Sequence, residues 1–143
     1  MGTMYQSRTM TIPEVHPEHK EYWDAASVGK LLLKTCDDCG EIHYYPRVIC
    51  PHCMSDKTTW IESKGTGSIY TYSVMRHGKP YAIAFVELDE GPRMMTNIVD
   101  CDLDTVHINQ RVKVVFKQTG DENNPGPFVP CFTPIEDRSN TRL

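Results

Sequence analysis

The chain has 143 residues, of which 39% are hydrophobic and 24% charged, and a formal net charge of −4. That length suits one domain with a modest core, and no apolar run approaches the ~20 residues of a membrane span. Its lysines and arginines are scattered along the sequence, so the basic face that nucleic acid requires is missing.

Met1 to Arg8 carry neither the apolar stretch nor the cleavage site of a secretory signal. Gln6 stands where a myristoylation motif would want Ser or Thr. The expected setting is therefore cytoplasmic and reducing. Residues 1–13 read as an arm with little structure of its own. From Pro17 the pattern turns helical, with Pro17 in the first turn, Glu18 and Glu21 near the positive end, and Gly29 as the stop. Tyr22, Trp23 and Ala26 form an aromatic stripe on one face. Either that face covers the core, or Tyr22 and Trp23 dock a partner, since aromatics are enriched at interface cores.

Lys30 to Thr35 reads as a strand leading into Cys36-Asp-Asp-Cys39-Gly40. Ten residues later comes Cys50-Pro-His-Cys53. Two Cys-x-x-Cys pairs at this separation allow a hairpin that gathers four sulfurs, the ligand set of tetrahedral zinc. Gly40 permits a tight knuckle, and Pro51 stiffens the second one. Four thiolates leave no open position for water, so the metal is expected to be structural. A thioredoxin-like site uses a single pair after a strand. A rubredoxin-type iron centre uses similar knuckles, but the gap is short for it and Met54 stands where glycine is usual. His43 and His52 are spare potential ligands that four cysteines make unnecessary.

Thr58 to Ser63 reads as a short strand and Gly65-Thr-Gly67 as a turn or bulge. Ile69–Met75 alternates as a strand. Tyr81–Leu88 is almost continuously apolar, which predicts a central strand buried on both sides. Asp89-Glu-Gly-Pro92 turns the chain back into Arg93–Val99. Gln110–Phe116 follows, with Val112, Val114 and Phe116 inward, then Phe128–Phe132. About five strands with no crossover helix predict a small antiparallel barrel, most economically a five-stranded OB-like one. The fold class is thus mainly β, divided as an arm and helix (1–29), a zinc ribbon (30–62), a barrel (63–135) and a tail (136–143). Cys101 and Cys131 read as small buried thiols. Glu87, Asp89 and Glu90 read as a solvated hairpin turn.

In this order the motifs resemble a known family, the zinc-ribbon plus OB-fold proteins associated with acyl-CoA enzymes. The likeness runs over roughly residues 20–133. It rests on Tyr22-Trp23, the Cys36/Cys39/Cys50/Cys53 stretch with Tyr45-Pro46-Arg47, Gly65 to Tyr72, Pro80 to Arg93 and Val112-x-Val114-x-Phe116. The resemblance implies a non-catalytic subunit that sits against a thiolase-like acyltransferase, bridges it to a second, synthase-like or MaoC-type enzyme, and helps form the acyl-CoA groove. It implies zinc as the cofactor, no catalytic residue in this chain, and acyl-CoA met only through the complex. The contrasting readings are a nucleic-acid-binding module, which both folds can form, and an iron electron carrier.

Overall fold

The computed structural model describes residues 4–5 and 10–135 of the chain. A single 3-10 turn at Pro17–His19 leads into helix α1, Lys20–Ala26, and Gly29 at φ +84° ends the excursion. Proline's fixed φ and absent N–H suit the first turn. Seven residues are too few to hold a helix unaided, so α1 depends on its buried Tyr22 and Ala26, one turn apart.

Three short strands follow: β1 (Leu32–Cys36), β2 (Ile42–His43) and β3 (Thr58–Glu62), paired antiparallel in the order β2-β1-β3. The remaining strands are β4 (Thr66–Met75), β5 (Tyr81–Leu88), β6 (Arg93–Ile98), β7 (Arg111–Gly120) and β8 (Pro125–Pro134). They close into a barrel in the order β4-β5-β6-β8-β7, with β7 returning to β4. The protein is mainly β, with one N-terminal helix, a ribbon and a five-stranded barrel, as the strand spacing predicts. Tyr22, Leu31 and Leu33 belong to the same hydrophobic cluster as Ile69, Val86, Met94 and Phe132. Helix, ribbon and barrel therefore share one core.

Several expectations are corrected. β5 is not buried on both sides. Its residues alternate, with Ala82, Ala84, Val86 and Leu88 inside and Ile83 and Phe85 exposed at 38% and 41%. A barrel has one interior, so an apolar run through its wall must leave half its side chains outside. The turn expected at Gly65-Thr-Gly67 is already strand at Thr66, and the irregularity falls between Ile69 and Thr71. Gly67 is there for close approach, because a Cβ would lie 2.5 Å from the Glu87 carbonyl oxygen. Among its described residues the arm has no helix or full strand, only a β-bridge from Met4 to Asp102, yet it is fastened. The Tyr5 N–H donates to the Cys101 carbonyl, the Gly120 N–H donates to the Met10 carbonyl, and Met10 is buried against Val99 and Cys131. The tail 136–143 lies outside the described residues.

The β5–β6 turn is also more than solvated. Glu90 accepts from the Ser63 hydroxyl at 3.0 Å and the Lys64 N–H at 2.7 Å, which fixes the crossing from ribbon to barrel. Asp89 receives both Arg111 guanidinium nitrogens at 2.8 Å. Those bonds, with one from Thr66, hold its carboxyl at about 2, below the usual 3.8. A carboxylate depressed on folding adds stability above its unfolded pKa and loses it as pH falls through the folded value. Asp89→Asn should therefore lower the thermal midpoint slightly at neutral pH and flatten its acid dependence between roughly pH 4 and 2. Thermal scans across that window check the effect.

Candidate metal centre

Each knuckle is built by a backbone that doubles under its sulfurs. The Gly40 N–H donates to the Cys36 carbonyl at 2.9 Å, with Gly40 at φ +78°, and the Met54 N–H donates to the Cys50 carbonyl at 2.9 Å, with Met54 at φ +68°. Met54 thus holds the left-handed conformation that glycine holds in the first knuckle, the position its sequence made conspicuous. Amides also point at sulfur, Cys39 N to Cys36 Sγ at 3.4 Å and His52 N to Cys50 Sγ at 3.3 Å. Such donors stabilise thiolate charge and orient the ligand.

The four sulfurs of Cys36, Cys39, Cys50 and Cys53 all lie within 4.8 Å of one another. Cys36 Sγ is 3.5 Å from Cys53 Sγ, and Cys39 Sγ is 3.8 Å from Cys50 Sγ. A tetrahedron with zinc–sulfur bonds of about 2.3 Å has edges of about 3.8 Å. The separations are far too long for disulfides, and none of the six cysteines is disulfide-bonded.

The electrostatics point the same way. The Cys39 amide leads in pulling the Cys36 thiol down to about 7. The Ser55 amide favours the Cys53 thiolate, but the Cys36 thiol and burial outweigh it and push Cys53 up to about 12. Four thiols this close cannot all ionise unless a cation shares the site, and zinc binding releases their protons. The donor set fits zinc, and the ribbon is a zinc site.

His43 and His52 stand outside the cluster of four sulfurs. His43 is buried, its Nε2 accepts from the Arg47 N–H at 3.2 Å, and burial lowers its pKa. Cys131 is buried, and burial pushes the Cys101 thiol up to about 11, away from nucleophilic use. Of the two readings of the helix face, core cover and partner docking, Tyr22 takes the first. It is 1% exposed, its hydroxyl meets that of Tyr44 at 2.7 Å, and its ring packs edge-on to Trp23 and Tyr45. Trp23 is half-buried beside it and lines a surface cavity. Among the described residues no helix is long and apolar enough to cross a membrane.

Residues 23–59 match the family described as "ChsH2, rubredoxin-like zinc ribbon domain", and residues 60–117 match "ChsH2, C-terminal OB-fold domain". A "DUF35 domain-containing scaffold protein" of Methanocaldococcus jannaschii is 37% identical over 117 residues, covering 74% of this chain and 82% of that protein. A "Probable enoyl-CoA hydratase alpha subunit" of Thermomonospora curvata is 31% identical over 128 residues, 85% of this chain but 39% of that longer protein. Among solved structures, a chain of the "Ltp2-ChsH2(DUF35) aldolase" superposes with a TM-score of 0.72 at 30% identity, covering 85% of this chain and 98% of that one. With the cysteine tetrahedron and the closed barrel joined in one core, the chain belongs to the DUF35 family of ChsH2-type zinc-ribbon and OB-fold proteins.

Proposed function

We propose that this chain is a non-catalytic scaffold subunit of an acyl-CoA enzyme complex. In this reading Cys36, Cys39, Cys50 and Cys53 hold one structural zinc ion. The chain pairs with a thiolase-superfamily acyltransferase subunit, bridges it to a second enzyme, and helps form the groove for acyl-CoA. The observation that carries it is the likeness, over 85% of this chain and 98% of the other, to a chain whose structure is named as an Ltp2-ChsH2(DUF35) aldolase. The chemistry supports it: a closed set of four thiolates offers substrate no open coordination position. The acidic balance of −4 disfavours the contrasting nucleic-acid reading.

Co-expression with a thiolase-superfamily acyltransferase subunit tests this. The pair should elute as one species by light scattering. Acetyl-CoA turnover should be absent from this chain alone and should change in the enzyme when the chain is removed. Turnover by the pure chain, or tight binding of a single-stranded oligonucleotide at low salt, would overturn the proposal.

A further inference from the structure

The outer face of β4–β5–β6 does no work for the fold. Phe85 lies opposite Thr71 on one side and Met95 on the other, and in the next row Ile83 lies opposite Ser73 and Asn97. Ile83, Phe85 and Met95 are 38%, 41% and 64% exposed, whereas Tyr72 lies opposite Ala84 and so belongs to the inward row. Barrel closure needs only the inward residues of these strands, so this outward apolar set has no folding role. Scattered apolar surface residues are ordinary, whereas a contiguous set marks contact with something else.

Three shallow concavities run along this face. One of about 160 Å³ lies between Ser73 and Phe85, and it shares Ile83 with the next, of about 200 Å³. That one shares Met95, Thr96 and Asn97 with a third of about 330 Å³, which ends at Trp23. Together they form one track from β4 across β5 and β6 to the helix, about 15 Å over the strands alone at ~4.8 Å per strand.

Charge fixes the chemistry of the occupant. The chain is 24% charged, yet among the described residues lining the three concavities none carries a charge. At the near edge Arg93 lies 3.4 Å from Glu87 and stacks 3.8 Å from the Tyr70 ring centroid, so that edge is neutralised too. In the floor, the Thr96 hydroxyl donates to the Pro130 carbonyl and the Asn97 amide to the Ala82 carbonyl, both at 3.0 Å. Among the described residues a phosphate-bearing ligand would find no cation in this lining. A small lipophile would be left largely in water, because ligand cavities enclose most of their guest. β4 pairs with β7 only over Thr66–Ser68 and β6 with β8 only at Ile98, but the track lies on the face of the sheet and not along these edges, so a partner seated on it meets side chains. A neutral, apolar protein surface matches this track, which has the composition of an interface core, depleted of charge and rich in aromatic residues and Met.

We propose that the Ile83–Phe85–Met95–Trp23 track is where the chain seats an uncharged apolar face of its acyl-CoA enzyme subunit. This rests on the scaffold reading above. The co-expressed pair is the probe, with Phe85→Glu/Met95→Glu as the test and Val28→Glu, exposed at 71% beyond the end of α1, as the control. Both test side chains point out of the barrel, so zinc content and the thermal transition should stay at wild-type values. Affinity by calorimetry should fall about 30-fold or more, the hot-spot scale, with Val28→Glu within about 3-fold of wild type. Hydrogen exchange in the wild-type pair should show new protection over residues 71–75, 83–85 and 93–97.

If the wild-type chain binds but the double variant binds equally well, the surface assignment is overturned and the scaffold reading stands. If the wild-type chain forms no complex, both fall. If the chain alone dimerises and the double variant is monomeric, the face belongs to a second copy, and the assignment to the enzyme subunit is overturned.

Discussion

Cys50→Ser should yield a chain without zinc and without a folded ribbon. The loss should be large, because structural zinc contributes ~10–16 kcal/mol in small zinc peptides. The geometry explains why one ligand is enough. Cys50 is fully buried, receives the His52 N–H, and anchors the knuckle through its carbonyl bond from Met54. Its sulfur lies 3.8 Å from that of Cys39, and losing it removes one corner of the tetrahedron and with it three of the six edges. β2 has only two residues and cannot hold the hairpin without the metal. Metal analysis and near-UV dichroism provide the readout. A Cys50→Ser protein with one zinc per chain and an unchanged thermal transition would contradict the assignment.

The second large effect belongs to Tyr22. Tyr22→Ala should destabilise the protein by about 3–5 kcal/mol, the range for removing a buried aromatic. The ring is 1% exposed and sits where helix, ribbon and barrel meet. Removing it strips α1 of its main contact and leaves a void beside Tyr44 and Tyr45. Tyr22→Phe keeps the packing and loses only the 2.7 Å bond to the Tyr44 hydroxyl, a cost of about 1–3 kcal/mol because a buried partner is left unsatisfied. Denaturant titrations of the two variants separate the terms. Equal losses in both would mean that the hydroxyl pair, not the ring, holds the junction.

These two residues mark how far the sequence could be read. The cysteine spacing was legible because ligand number and reach are local rules that zinc chemistry imposes on a short loop. The five barrel strands were legible from alternation and turn residues. Tyr22 was ambiguous because helical periodicity defines a face but not its neighbour, and the neighbours Tyr44 and Tyr45 lie beyond the first knuckle in the chain. β5 misled because an apolar run looks the same in a doubly covered sheet and in a barrel wall with an apolar exterior. The roles of Asp89 and Glu90 were hidden because their partners, Arg111 and Ser63-Lys64, are 22 and 26–27 residues away. A turn sequence does not announce contacts at that range.

The Glu90 clamp has a mechanical consequence. The chain passes from ribbon to barrel once, through residues 63–65. There Glu90 grips Ser63 and Lys64 from the barrel side, while the Ser63 N–H reaches back to the Leu31 carbonyl at 2.8 Å. A joint held from both sides transmits torque instead of absorbing it. A push on the knuckles should therefore be carried to the β5–β6 hairpin, with the metal end and the barrel wall expected to turn together.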